Sequence, residues 1–296
     1  MKILLLGGNG QVGRELRRSL PVLGEVIVAT RDGVGAQCSA DFDRPEQLAD
    51  LVLQLSPDVV VNAVAYTAVD QAEADADAAF RINAEAPAAL ARACAASAAL
   101  LLHYSTDYVF DGRSTQPYRE DATSAPLGVY GASKWAGEQA IRTSGARYAI
   151  LRTAWVYAAH GKNFLLTMLR LAAQRDELRV VDDQIGAPTS AAWIADASAQ
   201  LLRQGVPHSD TWHLVCAGQT SWHGFAQAIV HEAHAMGLLQ REPQVIPITT
   251  SDYPTPAQRP AYSVLDTAKL QRDFSITPPD WQHALRTTLD ALASTH

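Results

Sequence analysis

Cysteine is scarce. The 296 residues hold three, Cys38, Cys94 and Cys216, widely spaced and odd in number. That argues against a disulfide framework and fits a reducing, cytoplasmic compartment. No apolar run approaches the roughly 20 residues that a membrane span needs, and the first, Ile3 to Leu6, is too short for a signal peptide. Runs rich in Lys and Arg are also absent, and the net charge is −7, so neither nucleic acid nor a membrane is an expected partner. There is no internal repeat and no low-complexity tract beyond an alanine-rich helix. What is present, 48% hydrophobic and 19% charged residues, is the balance of a globular protein, long enough for one large domain or two smaller ones.

The chain starts with an apolar run of strand length, Lys2 to Leu6. Gly7-Gly8-Asn9-Gly10-Gln11-Val12-Gly13 follows, then a helical stretch from Arg14 to Leu20. Strand, glycine turn and helix are the context of a dinucleotide fingerprint. The glycines permit a tight turn and close approach to a pyrophosphate, and the helix start offers N–H groups and the positive dipole end. Glu25 to Thr30 reads as the second strand. Arg31 at its end suits a 2′-phosphate, bidentately bound, whereas Asp32 suits the ribose hydroxyls of NAD. Asp41 and Phe42 sit where a third strand ends, near an adenine site, and Asp43 is placed to cap a helix over Pro45 to Leu55. Val59 to Ala63 reads as a strand buried on both faces. It runs into Ala63-Val64-Ala65, small enough for a cofactor to pass closely. Asp75 to Ala99 is a long helical stretch with a break expected at Pro87.

Leu100 to Tyr104 is the fifth strand. It leads to Thr106, at a carboxyl end where open α/β sheets bind ligands. Further on, Tyr130-Gly-Ala-Ser-Lys134 puts a phenol and an ammonium one turn apart on a helix face. A free tyrosine has a pKa of about 10. A fixed cation lowers it, so the pair is suited to passing a proton to or from a substrate oxygen. Alone, the spacing more often marks a half-buried Tyr and a solvated Lys; the N-terminal glycine turn shifts the reading to a catalytic pair. Tyr148 to Thr153 is a sixth strand. Beyond Tyr157 the alternation weakens, with helices over 163–174, 191–202 and 225–236 and strands over 178–182 and 211–215. His231 and His234 read as solvated surface rather than a metal pair. The reading is an α/β, Rossmann-type doubly wound parallel sheet over 1–157, with segments near 185–215 returning to it, and a smaller mixed C-terminal substrate-binding lobe over 158–296.

Taken together, Gly7-x-x-Gly10-x-x-Gly13, Ser105-Thr106-Asp107 and Tyr130-x-x-x-Lys134 resemble the extended short-chain dehydrogenase/reductase superfamily. Val61-Asn62-Ala63, Tyr66 to Asp70, Ser105 to Gly112, Arg152 to Tyr157, Asp183-Gln184-x-Gly186-x-Pro188-Thr189 and Arg259-Pro260-x-x-Ser263-x-Leu265-Asp266 are similar to the dTDP-4-dehydrorhamnose reductase family within it, over essentially the whole chain. The resemblance implies NADPH- or NADH-dependent reduction of a 4-keto dTDP-sugar. In it Tyr130 is the proton donor, Lys134 tunes it and holds the nicotinamide ribose, and Thr106 binds the sugar carbonyl. Asp107 and Trp155 line the sugar pocket, and Arg259 lies near the diphosphate. Gly7, Gly10, Gln11, Val12, Gly13, Arg31, Asp41, Phe42, Ala63, Val64, Ala65 and Tyr104 contact the cofactor. Some members form homodimers around Mg²⁺ held by glutamates; no cluster in this chain is assigned to a metal. An epimerase or 4,6-dehydratase shares the fold and triad, though Tyr108 stands where a dehydratase typically carries a second acidic residue. A catalytically silent regulatory subunit, the third reading, is disfavoured by the intact Thr106, Tyr130 and Lys134.

Overall fold

Short apolar strands, each followed by a helix, leave the chain one economical packing: a parallel sheet with helices on both faces. The structure, a computed structural model, describes residues 1–294. Its strands are β1 (Lys2–Leu6), β2 (Glu25–Thr30), β3 (Cys38–Ser39), β4 (Val59–Asn62), β5 (Leu100–Thr106) and β6 (Arg147–Thr153). Two further strands, β7 (Glu177–Val181) and β8 (Asp210–His213), come from the second half of the chain. The central sheet runs β8-β6-β5-β4-β1-β2-β3 and every pairing in it is parallel. The order reverses between β1 and β4, so their carboxyl ends open a crevice where ligands bind in such sheets.

Successive residues of β1 point to opposite faces. Ile3 and Leu5 pack with Leu16 of α1 (Gln11–Ser19) and with Ile194 and Leu201 of a long helix over Ala191–Gln204. Leu4 and Leu6 pack with Leu48 of α2 (Pro45–Leu55), Leu90 of α3 (Ala86–Ser97) and Ile141 of α4 (Val129–Arg142). The C-terminal half has its own core. Leu165 and Met168 of α5 (Phe164–Ala172) meet Phe225 and Ile229 of a helix over Trp222–Ala235, and Trp281, Leu285 and Leu289 of a helix over Trp281–Ala293. There β7 pairs in parallel with a strand over Gln244–Ile248. No described helix is long and apolar enough to cross a membrane.

Two local features differ from the sequence reading. The break in the alanine-rich stretch is a π-helical turn over Arg81–Glu85, after a helical piece over Ala76–Phe80, and Pro87 sits in the first turn of α3. A proline there forfeits an N–H that has little use in the first turn, so it breaks nothing. Asp43 does not cap α2. The capping position belongs to Arg44 and has no side-chain hydrogen bond, while the Asp43 carboxylate is drawn to Arg31 and, at 3.0 Å, to Arg81.

Candidate active site

The glycine turn is assembled by backbone contacts that no larger residue permits. Gly7, in the left-handed region at φ 81°, takes the Gly10 N–H on its carbonyl at 3.0 Å, and a Cβ on Gly13 would collide with that same carbonyl. No side chain caps α1, so its first N–H groups are available to an anion. Beside the turn lies a cavity of about 170 Å³ lined by Gly7, Arg31, Asp41, Phe42, Val64 and Ala65 among others. Six residues assigned from sequence to a cofactor are therefore brought to one place. Arg31 stands at its rim, held by Asp43 and lying 3.5 Å from Asp41. Gln11 turns toward the second lobe, where its Oε1 accepts from Asn163 at 2.8 Å, while Val12 packs against the core. Ala63 follows β4 and its N–H donates to the Leu6 carbonyl at 3.1 Å. Tyr104 meets the site through its backbone only: its ring lies in the opposite core and its hydroxyl pairs with Ser198 at 2.7 Å.

The carboxyl end of β5 brings Thr106, Asp107 and Tyr130 together. The Thr106 hydroxyl donates to Asp107 at 3.0 Å and accepts the Tyr108 N–H at 3.2 Å, and it lies beside the Tyr130 phenol. Tyr108 meets the Tyr130 ring edge-on, centroids 5.5 Å apart. Gly131 lets α4 pack tightly on this turn, since a Cβ there would strike the Tyr108 carbonyl. Burial pushes the Tyr130 phenol up to about 12; the Thr106 hydrogen bond opposes the shift and the Asp107 charge adds to it. Burial likewise pushes the Asp107 carboxyl up to about 6, against hydrogen bonds with Ser263 and Thr106. The Lys134 ammonium is pushed down to about 8 by burial, opposed by Glu138. Its Nζ donates to the Tyr104 carbonyl at 2.6 Å. Desolvation sets the sign of the Tyr130 shift, and the Lys134 Nζ is held by the Tyr104 carbonyl.

Sequence reasoning passed over the polar groups that position α4. Glu138 is fully buried, receives two hydrogen bonds from Arg152 at 2.9 and 2.8 Å, one from Ser105 at 2.5 Å and one from Arg142 at 2.8 Å. Asn83 in the π turn exchanges hydrogen bonds with the Tyr66 backbone at 2.8 and 3.1 Å and reaches Ser133 on α4 at 3.0 Å. The only signal for these residues in the sequence is a charge or amide inside an otherwise apolar or helical run.

Arg259 pairs with Asp70 at 2.7 Å. Its segment also carries Ser263 to Asp107. Trp155 adopts φ 47°, and its indole stacks on Trp222 at 3.5 Å between centroids with Gly186 beneath, where a Cβ would collide with the ring. Trp222 gave no sign of this role in the sequence. His231 is exposed, 3.2 Å from Glu242, and the His234 ring meets the Leu239 carbonyl at 3.0 Å. Among the described residues no group of three or more His, Cys, Asp or Glu is placed to hold a metal.

Residues 1–294 match the family described as the RmlD substrate binding domain. The chain is 50% identical over 294 residues to a dTDP-4-dehydrorhamnose reductase of Burkholderia thailandensis, covering 96% of this chain and 97% of that protein. To the Escherichia coli K12 protein of the same name it is 43% identical over 298 residues, covering 100% of this chain and 99% of that one. A crystal structure of dTDP-4-dehydrorhamnose reductase from Bacillus anthracis in complex with NADP superimposes with a TM-score of 0.90 at 32% identity, covering 98% of this chain and 99% of that chain.

Proposed function

The chain belongs to the RmlD substrate binding domain family, and on that premise we propose that it is the nicotinamide-dependent reductase that turns the C4 keto group of dTDP-4-dehydro-L-rhamnose into the alcohol of dTDP-L-rhamnose, the last step of dTDP-rhamnose synthesis. The observation that carries the reading is the placement of Thr106, at the carboxyl end of β5, beside Tyr130 in a chain whose glycine turn leaves the start of α1 uncapped.

The glycine turn, the N–H groups of α1 and the cavity at Phe42 and Val64 suit a dinucleotide, with the adenosine end at Arg31. Arg31 supports NADPH as at least an equal of NADH, since a guanidinium binds a 2′-phosphate bidentately. The cofactor, when bound, supplies the hydride. Thr106 holds the C4 oxygen of the sugar and orients it toward Tyr130. As negative charge develops on that oxygen, Tyr130 gives it the phenolic proton. A phenol held near 12 is fully protonated at neutral pH, so it enters the step as a donor. Lys134 lies one turn further along α4, buried beside the site. Trp155 and Asp107 shape the sugar pocket, and Arg259 faces the diphosphate.

Tyr130→Phe tests this. It keeps the ring and its packing on Tyr108 but removes the donor, so kcat falls by about 10²–10⁴-fold while KM for the sugar changes little. Cofactor oxidation with enzymatically made dTDP-4-dehydro-L-rhamnose measures both. A folded variant that reduces the keto sugar at the parent rate removes Tyr130 from the chemistry.

A further inference from the structure

Beside the cavity lined by Gly7, Phe42 and Val64, the guanidiniums of Arg31, Arg44 and Arg81 meet the carboxylates of Asp41 and Asp43. Asp43 bridges two of the cations. Its Oδ1 accepts from Arg81 Nε at 3.0 Å, and its Oδ2 accepts from Arg31 Nη2. Its backbone N–H is tied as well, to Asp41 Oδ1 at 3.1 Å. Arg81 stands on the π-helical turn, where Asn83 binds both the Tyr66 backbone and Ser133 of α4, so the carboxylate is gripped from an anchored element. Arg31 is the looser partner. It lies on the loop after β2 with 71% of its side chain exposed, against 37% for Arg81. Asp32, the next residue, turns back to the Val34 N–H at 3.1 Å. Asp43, together with Asp41 at 3.5 Å from Nε, takes the Nε/Nη2 edge of the Arg31 guanidinium. Such an edge is where arginine holds a phosphate by two parallel hydrogen bonds.

We propose that Asp43 is a specificity-determining residue of the cofactor site: fixed by Arg81, its carboxylate competes with a 2′-phosphate for Arg31 and so narrows the preference for NADPH over NADH. The inference rests on the cofactor reading of the glycine turn and its cavity. The residues there fit such a group, since the first α1 N–H groups are uncapped and Arg31 lines the cavity. A phosphate monoester carries about −1.5 to −2 charges at pH 7. To take the Nε/Nη2 edge it must displace a carboxylate that Arg81 keeps in place, and it meets the Asp41 charge as well. Like charges at that range oppose each other. The ribose hydroxyl of NADH is neutral and leaves the bridge undisturbed. Exposure of Arg31 limits the size of the effect, because ion pairs open to water are weak and their partners exchange.

Calorimetry on the full chain with adenosine 2′,5′-bisphosphate and with 5′-AMP isolates the 2′-phosphate without any turnover. Asp43→Asn keeps the side-chain shape and an oxygen for Arg81 but removes the charge. It is expected to bind the bisphosphate about three- to tenfold more tightly than the parent does, with 5′-AMP within about twofold. NADPH binding, followed by its fluorescence, tightens alongside the bisphosphate, and NADH binding does not. On an Arg31→Ala background the same substitution changes bisphosphate binding by less than about twofold, because the contested cation is gone. Asp43→Ser, also uncharged, carries the same expectation if the Asn variant does not fold. Unchanged or weaker bisphosphate binding in a folded variant overturns the proposal; weaker binding would mean that the carboxylate presents Arg31 to the phosphate. Equal tightening with and without Arg31 overturns it too, reducing Asp43 to a charge acting through space. A parent that binds neither nucleotide overturns the cofactor reading and this proposal with it, whereas normal 5′-AMP binding confines a failure to Asp43. Tyr130→Phe leaves all these affinities unchanged, so failure of the catalytic reading shows in the kinetics instead.

Discussion

At the scale of single residues, burial rather than the nearest charge decides the chemistry. Tyr130 has a lysine four positions on, yet its phenol moves up because desolvation outweighs its hydrogen bond to Thr106. Asp107 makes the same point with a consequence for stability. Its folded value near 6 exceeds the unfolded value of about 3.9, so the folded chain binds the proton more tightly. Its contribution is therefore fully present below about pH 4 and is lost as pH rises through about 6. Asparagine mimics the protonated form at every pH. We expect the stability of the parent relative to Asp107→Asn to fall by about 2–3 kcal/mol between pH 4 and pH 7, as measured by urea denaturation at each pH. A difference that stays constant across that range contradicts a raised Asp107 value.

At the scale of elements, α4 is tied to the sheet by a buried ladder at four-residue spacing. Lys134 meets His103 and Tyr104 of β5, Glu138 meets Ser105 of β5 and Arg152 of β6, and Arg142 meets Thr211 of β8 at 2.8 Å. Such a pair is costly to break because the remaining charge is left dry, even where it adds little over a hydrophobic pair. Glu138→Gln should lose about 3–5 kcal/mol of stability by calorimetry or denaturant, because Arg152 keeps its charge at 1% exposure. The double variant Glu138→Leu, Arg152→Met should recover most of that loss. Equal losses for single and double variants would mean that packing, not charge, anchors α4.

At the scale of the whole molecule, a segment distant in sequence packs back onto the segments that follow β4 and β5. Arg259 reaches Asp70, 189 residues away, and Ser263 reaches Asp107. The Asp70 carboxylate holds the guanidinium partly buried. Arg259→Ala is expected to raise the sugar-nucleotide KM about 10-fold or more, the cost of one charge-assisted contact, while NADPH affinity by fluorescence stays within about twofold. Asp70→Ala leaves the guanidinium in reach of the cleft and so has the smaller effect. If the Arg259 variant weakens cofactor and sugar alike, the arginine supports the fold rather than the diphosphate.

The sequence by itself determined what depends on local spacing. A glycine turn directly after a strand, alternating apolar runs and a Tyr-x-x-x-Lys turn are all legible within a few residues, because backbone geometry and helical period act over that distance. The cavity at Arg31, Phe42 and Val64 and the meeting of Thr106 with Tyr130 follow from those elements once the sheet order is known. Only the tertiary structure decided the rest. Asn62 and His103 are 41 residues apart and Lys134 a further 31, and they meet because β4 lies beside β5 and α4 packs on β5. Glu138 and Arg152 read as an ordinary helix charge and a charge in a strand until that packing encloses them. The sign of the Tyr130 shift was likewise beyond sequence spacing, since it turns on how much water the folded chain excludes and on where the lysine nitrogen is held.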